Sequence, residues 1–372
     1  MTALPPINLP SGAAPTQPTH WLGRQFGLPL PILQAPMAGA QDHVLALAVA
    51  RAGGLGAIPA AMLSPAALRT ELAAFRAGST APLNVNFFCH TPPAPDTAAQ
   101  ARWMGALQPH FQAWAVEPAA IDNGPGRLPF ADDAADLLAE FKPEVVSFHF
   151  GLPAPRLLDK VRTWGAKVIA SATTVDEARW LQDHGADAII AQGLEAGGHR
   201  GHFLDHDLTR QAGLFALLPL VARTVSVPVI AAGGVSTPQA VAAARALGAH
   251  AVQVGTAYLL SPEATTREVH RQALQGPHSH QTALTRLLTG RPARGIWNQL
   301  MHDLGPLADV APAFPLATAA LAPLRAAAEQ QGQSDFSPLW AGQSAPHCQA
   351  LPAADITRQL ASGWALTCPC GS

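Results

Sequence analysis

The chain has 372 residues, of which 48% are hydrophobic and 13% are charged, and its formal net charge is −2. Its length corresponds to ~2.5 domains of average size, and one large barrel with an extension fits equally well. No uncharged apolar run approaches the ~18 to 20 residues that cross a bilayer. The near-neutral balance, without a lysine or arginine cluster, lacks the electrostatic footprint of a protein that binds nucleic acid or an anionic membrane. We therefore expect a soluble protein that acts on small molecules.

The two ends of the chain and its cysteines indicate a compartment. Residues 1–20 are proline-rich, with no basic region followed by an unbroken apolar stretch, so they predict a flexible arm and not a secretion signal. Four cysteines, at Cys89, Cys348, Cys368 and Cys370, form no framework for a disulfide scaffold. These features predict a protein of a reducing compartment, the cytoplasm.

Short apolar runs rich in branched residues alternate with alanine-rich stretches of helical length, which is the pattern of β/α units on a parallel sheet. The runs are LPILQAPM (30–37), LGAIPAA (55–61), LNVNFF (83–88), EVVSFHF (144–150), KVIASAT (167–173), AIIAQG (188–193), PVIAAGG (228–234) and AVQVGT (251–256). Several lack in/out alternation, as strands buried on both faces do. Eight such repeats predict an α/β fold, a (β/α)8 TIM-type barrel over residues 21–262. A doubly wound open sheet is the alternative.

The helix predicted over 236–248 carries clear start and stop signals. Ser236 is the expected N-cap, Pro238 lies in the first turn and Gly248 ends the helix.

Two regions fall outside the repeat. The insertion at 89–143 is too long for one helix and its turns, so we expect loops around a helix near 98–115 that partly cover a site. After residue 262 the period-2 pattern disappears and helical stretches follow, which predicts a mainly helical appendage and tail over 263–372. This appendage suits either a cap on the site or a subunit contact, so a homo-oligomer stays open.

The glycines after the last two predicted strands suggest an anion site. Barrels carry their active sites at the C-terminal ends of the strands and commonly bind phosphate after strands seven and eight, through backbone N–H groups at a short helix N-terminus. We therefore predict a phosphate cradle from Gly233, Gly234, Gly255 and Thr256. The alternative is that these glycines merely permit tight turns, and their joint occurrence on adjacent strands favours the cradle.

The segment QGLEAGGHRG (192–201) places two glycines directly before a histidine. The backbone can approach a ligand closely there while His199 presents its imidazole, so His199 is a candidate base. A loop histidine bonded to a carbonyl is the alternative. His149, in SFHFG, is interpreted as a satisfied core histidine, because the sequence does not fix the strand register.

The polar residues that follow His199 suggest a metal site as an alternative. His199, His202 and His206, with Asp205 and Asp207, form a cluster that could hold a divalent cation. The sequence supplies no convincing facing ligands, so a solvated polar loop is favoured and no metal is predicted.

Several motifs together point to a family. PILQAPMAG, NVNFF, VVSFHFGLP, AQGLEAGGHRG, VPVIAAGGV and AVQVGTAYL follow one another in this order, and PLWAGQSA stands at 338–345. In order and spacing, from about residue 28 to 260, the chain resembles the FMN-dependent nitronate monooxygenases, formerly called 2-nitropropane dioxygenases. The resemblance implies a barrel with FMN at its mouth that oxidises alkyl nitronates, such as propionate 3-nitronate, with dioxygen to a carbonyl compound and nitrite. If neutral nitroalkanes are also substrates, His199 would remove the α-proton.

The resemblance also implies roles for single residues. The implied FMN contacts are Ala35, Pro36 and Met37 against the isoalloxazine ring, Asn86 and Gln192 in hydrogen bonds around the flavin, Gly197 in its pocket, and Gly234, Gln253, Val254, Gly255 and Thr256 at the phosphate end. His199 matches the family's catalytic histidine. Ser171 is counted with the cofactor site, although it stands where some relatives have a lysine near the phosphate, so one charged contact is missing.

Three other functions compete. FMN-dependent enoyl-acyl-carrier-protein reductases and NAD(P)H:quinone reductases resemble the same barrel and its EAGGH-type loop, but they need a nicotinamide cofactor. The FHFGLP segment favours the monooxygenase branch. A non-enzymatic module that binds flavin or phosphate would need the cradle but not His199. A metal-dependent barrel hydrolase would need the cluster of His199, His202 and His206.

Overall fold

A computed structural model describes residues 20–118 and 127–366 of the chain. Most of the predicted N-terminal arm lies outside these residues, as do Cys368 and Cys370 of the tail. No helix in the described ranges is both long and apolar enough to span a bilayer.

Eight parallel strands form a barrel, with a separate three-stranded sheet beside it. The strands are β1 (Ile32–Gln34), β2 (Gly56–Pro59), β3 (Leu83–Phe88), β4 (Val145–His149), β5 (Lys167–Ala172), β6 (Ala188–Gln192), β7 (Gly198–His199), β8 (Val229–Ala232), β9 (Ala251–Val254), β10 (Thr282–Thr285) and β11 (Ala293–Ile296). The barrel order is β1-β9-β8-β6-β5-β4-β3-β2. A parallel bridge between Leu33 of β1 and Leu55, directly before β2, joins the two strands at the ends of this order. The predicted (β/α)8 barrel is confirmed, and all eight predicted strands are present.

Helices cover the outside of the barrel and build the appendage. They are α1 (Trp21–Phe26), α2 (His43–Ala52), α3 (Pro65–Gly78), α4 (Thr97–Ala113), α5 (Asp132–Phe141), α6 (Pro155–Arg162), α7 (Val175–Asp183), α8 (Leu214–Thr224), α9 (Pro238–Ala246), α10 (Glu268–Gln275), α11 (Gln299–Leu304), α12 (Ala317–Gln330) and α13 (Ala353–Ser362). The N-cap of α9 is Thr237, whose hydroxyl accepts from the Ala240 N–H at 3.2 Å. The prediction of Ser236 was wrong by one residue, because Pro238 is the first helical residue and the cap directly precedes it.

The barrel strands are buried on both faces, which explains their continuous apolar runs. On β6, Ile189 packs outward among the helices, while Ile190 lies in a separate inner cluster that includes Trp21 and Leu22 of α1. The N–H of Trp21 donates to the carbonyl of His250, directly before β9. Helix α1 therefore closes the N-terminal end of the barrel, and the opposite end is left for the site.

The last helix returns to the barrel. Ile356 and Leu360 of α13 belong to the main barrel core, and the Tyr258 hydroxyl lies 2.8 Å from the Thr357 hydroxyl. Helix α12 instead shares a second core with α4, in which Trp103 is fully buried. The boundary predicted at residue 262 stays a prediction.

A small antiparallel sheet in the region after residue 262 was not predicted. Strands β10 and β11 pair with each other, and β11 pairs with β7 so that Ala293 stands opposite His199. This sheet fixes the backbone of His199 between the barrel and the appendage.

Candidate active site

A cavity of about 290 Å³ lies at the C-terminal ends of the barrel strands. Residues at or just beyond the end of every barrel strand contribute to its wall. The predicted site residues on this wall are Ala35, Pro36, Met37, Asn86, Ser171, Gln192, Gly197, His199, Gly233, Gly234, Gln253, Gly255 and Thr256.

Val254 is the exception among the predicted residues. Its side chain is buried in the barrel core, and its carbonyl accepts the N–H of Ala35 at 2.8 Å. Because strand side chains alternate between faces, Gln253 reaches the cavity and its neighbour does not. Val254 is therefore no side-chain contact for a ligand in this cavity.

Two glycines of the predicted phosphate cradle adopt backbone conformations that favour glycine. Gly233 and Gly234 have φ angles of +105° and +72°, which residues with a side chain rarely adopt. A Cβ on Gly233 would lie 2.9 Å from the Ala196 nitrogen. A single 3₁₀ turn begins at Thr256, directly after Gly255. Among the hydrogen bonds of the described residues, none uses the N–H of Gly234, Gly255 or Thr256. These amides are available to an anion.

Some polar side chains on the barrel wall are hydrogen-bonded within the protein, and others have atoms without a protein partner. Both ends of the Gln192 amide are hydrogen-bonded within the protein. Its Nε2 donates to the His199 carbonyl at 3.0 Å, and its Oε1 accepts from the Gly201 N–H at 2.8 Å. The Nδ2 of Asn86 donates to the Ser147 hydroxyl at 3.0 Å. The Oε1 of Gln253 is buried without a protein partner. An orphaned acceptor on a cavity wall fits a ligand that brings an N–H donor, as a flavin ring does.

His199 stands in an aromatic enclosure. Its ring centroid lies 5.3 Å from that of Phe314, 5.6 Å from Trp340, and 6.0 Å from both Phe88 and Phe150. Burial lowers the pKa of His199 well below its usual range, and the nearby Arg127 guanidinium lowers it further. The imidazole is therefore neutral at pH 7. Its Nε2 lies 3.0 Å from the Thr289 hydroxyl, so the alternative of a ring bonded to a carbonyl is not what the structure has.

His149 is a satisfied histidine, as predicted, but it lies on the cavity wall. A carbonyl can only accept, so the His149 Nε2–H donates to the His199 carbonyl at 3.1 Å. Burial lowers the pKa of His149 to about 3, so the ring is neutral and its Nδ1 accepts from the Ser171 hydroxyl at 3.0 Å. Ser171 and His149 together support the backbone of His199.

The polar loop after His199 uses its carboxylates internally. Asp205 pairs with Arg210 at 2.6 Å, and Asp207 accepts from the N–H of Thr209 at 2.9 Å. Within residues 20–118 and 127–366, no group of three or more histidine, cysteine, aspartate or glutamate side chains is arranged to hold a metal ion.

The sequence pattern did not predict the residues on the cavity wall that faces the barrel. Arg127 comes from the insertion, and His270, Arg325 and Glu329 come from α10 and α12. No periodicity or motif marks these positions. Trp340 also lies on this wall, and the PLWAGQSA motif was a signal for it.

The chain is similar to known proteins over most of its length. A sequence model of the family described as nitronate monooxygenase matches residues 23–363. The nitronate monooxygenase of Pseudomonas aeruginosa is 40% identical over 341 residues, which cover 91% of this chain and 97% of that protein. The nitronate monooxygenase of Paraburkholderia phytofirmans is 40% identical over 339 residues, which cover 90% and 92%.

Solved structures share the fold. Nitroalkane oxidase from Streptomyces ansochromogenes superimposes with a TM-score of 0.84 at 37% identity, covering 92% of this chain and 97% of that one. FabK from Thermotoga maritima superimposes with a TM-score of 0.68 at 27% identity, covering 92% and 95%.

Proposed function

The chain belongs to the nitronate monooxygenase family and is an enzyme of that class, and we propose that it binds FMN in the cavity and oxidises alkyl nitronates there with dioxygen. The observation that carries this proposal is the meeting of two features on one cavity: the glycine cradle after β8 and β9, and His199 on β7. An anion site beside a neutral imidazole suits a phosphate-bearing cofactor and a small anionic substrate. The products would be a carbonyl compound and nitrite.

The barrel side of the cavity would hold the cofactor. The free amides of Gly234, Gly255 and Thr256 would bind its phosphate, and Gln253 would accept a hydrogen bond from the ring. The segment 35–37 would lie against the ring. When bound, FMN would supply the one-electron chemistry that couples an electron-rich nitronate to dioxygen.

The chain's own residues would orient the substrate and exclude water. The aromatic enclosure of His199 lowers the local polarity, which strengthens every electrostatic contact inside the cavity. The guanidinium of Arg127 supplies positive charge on the facing wall. With a neutral nitroalkane, the neutral His199 ring would take the α-proton.

The proposal is tested by steady-state turnover. The purified protein, supplied with FMN, is given propionate 3-nitronate in air, and oxygen consumption and nitrite formation are recorded with and without NADH. We expect both signals without NADH and their loss when flavin is removed. NADH oxidation without any nitronate turnover would contradict the proposal and move the enzyme to the reductase branch, with which FabK shares its fold.

A further inference from the structure

Two arginines on the wall facing the barrel differ in how their charge is balanced. The Nε of Arg325 donates to Glu329 at 2.7 Å, and Arg267 pairs with the same carboxylate. Arg127 instead donates to the Thr318 hydroxyl at 3.2 Å and lies over the Phe314 ring at 5.8 Å. In the described parts of the chain, no carboxylate forms an ion pair with Arg127.

A guanidinium without a carboxylate partner among the described residues is unusual in such a place. Partial burial removes water from the cation, and proteins normally offset this loss of solvation free energy with a carboxylate partner. Burial lowers the pKa of Arg127, yet a guanidinium stays ionised at neutral pH. Arg127 therefore places on the cavity wall a positive charge that no carboxylate of residues 20–118 or 127–366 pairs with, whereas the guanidinium of Arg325 is held by Glu329.

The position of this charge relative to His199 suits a second anionic group. The Phe314 centroid lies 5.8 Å from the Arg127 Cζ and 5.3 Å from the His199 centroid. A short substrate could therefore place its nitronate by the imidazole and its far end by the guanidinium. The planar N–H fork of arginine matches the two oxygens of a carboxylate.

We propose that Arg127 is a specificity-determining residue that binds a carboxylate at the far end of the substrate, so that the enzyme prefers carboxylated nitronates to plain alkyl nitronates. This inference rests on the proposed function. Arg325 is not expected to select in this way, because its guanidinium is already held by the Glu329 carboxylate.

The test compares two substrates of equal chain length, propionate 3-nitronate and propyl 1-nitronate. In Arg127→Gln, kcat/KM for propionate 3-nitronate should fall about 10- to 100-fold, mainly through KM, as expected for loss of a charge-assisted hydrogen bond. The value for propyl 1-nitronate should stay within about 3-fold. The matched control Arg325→Gln should change both substrates by the same factor.

The outcomes separate the inference from the proposed function. If the unmodified enzyme oxidises neither nitronate, both the proposed function and the inference are overturned. If it oxidises both, and Arg127→Gln changes both equally or only weakens FMN binding, the inference alone is overturned.

A measurement on the unmodified enzyme covers the case in which Arg127→Gln does not fold. Butanoate should inhibit oxidation of propyl 1-nitronate competitively, at concentrations at which butan-1-ol does not. Equal inhibition by the acid and the alcohol would overturn the inference.

Discussion

His199 and Thr289 are joined by a hydrogen bond of 3.0 Å that fixes which ring nitrogen carries the proton. The Thr289 hydroxyl also lies 3.3 Å from the Arg291 carbonyl, and only the hydroxyl can donate in that contact. Its single proton is thereby used, so it accepts from the Nε2–H of His199. The neutral ring consequently has its lone pair on Nδ1. Because His199 lines the cavity and Thr289 does not, Nδ1 is the nitrogen left for the substrate.

Replacing Thr289 should therefore affect substrates unequally. Thr289→Val leaves the buried Nε2–H without an acceptor, which favours the other tautomer or a turned ring. We expect kcat/KM for a neutral nitroalkane, which must lose its α-proton, to fall about 10-fold relative to kcat/KM for its nitronate. Thr289→Ser keeps the hydroxyl and should restore the ratio. Equal losses with both substrates, or a wild-type enzyme without nitroalkane turnover, would contradict Nδ1 as the base.

A methyl group on the glycine cradle should displace the cofactor. Gly234→Ala introduces a Cβ whose protein contacts are no closer than 3.4 Å, to Glu195, so its main effects are backbone strain at a φ of +72° and lost room in the cavity. Gly165→Ala is the matched control, with a φ of +84°, open space around the Cβ and a position that does not line the cavity. Both should lose about 1 to 3 kcal/mol of stability. Fluorescence titration should show weaker FMN binding for Gly234→Ala alone, and equal affinities would argue against the cradle.

The loop that carries His199 should depend on Arg200. This side chain is fully buried and donates to the carbonyls of Gln192 at 2.8 Å and Gly193 at 2.6 Å, and to Gln211 Oε1 at 2.8 Å. A lysine cannot reach three acceptors spread in a plane, so Arg200→Lys should cost about 3 kcal/mol and reduce turnover. Urea unfolding measures the stability. The control Arg179→Lys, on the exposed face of α7, should be neutral, and a neutral Arg200→Lys would show that the loop stands without this contact.

Stability should fall on acidification before most carboxylates titrate. Burial, with Arg291 nearby, lowers the pKa of His202 to about 3, whereas a histidine in the unfolded chain titrates near 6.5. The unfolded state therefore binds a proton first as the pH falls below about 6.5, so this histidine destabilises the fold by about 1.4 kcal/mol per pH unit down to about pH 3. Urea unfolding at pH 7 and pH 5 should show a smaller difference for His202→Gln than for the unmodified protein. An unchanged difference would mean that His202 is protonated in the fold.

The barrel, and the side of the cavity that its strands form, could be predicted because they depend on local patterns of apolar residues and glycines. Eight apolar runs marked the strands, and barrel geometry then placed residues such as Gly234 and His199 at one end. The N-cap of α9 was missed by one residue, since Ser236 and Thr237 are both good caps and Pro238 decided between them.

The wall facing the barrel could not be predicted. Arg127 reaches the cavity from an irregular insertion. Thr289 lies between β10 and β11, and the pairing of β11 with β7 brings it to His199, about 90 residues away in sequence. Such contacts depend on tertiary packing, which leaves no periodic trace in the sequence. The sheet of β7, β10 and β11 was missed for the same reason.

Whether the nitronate itself reduces the flavin is tested by an anaerobic spectrum of the enzyme loaded with FMN. Propionate 3-nitronate and, in a second cuvette, NADH are added without oxygen, and the flavin absorbance is followed. We expect the nitronate to bleach the flavin and NADH to leave it oxidised. Bleaching by NADH alone, or a protein that takes up no FMN, would contradict this expectation.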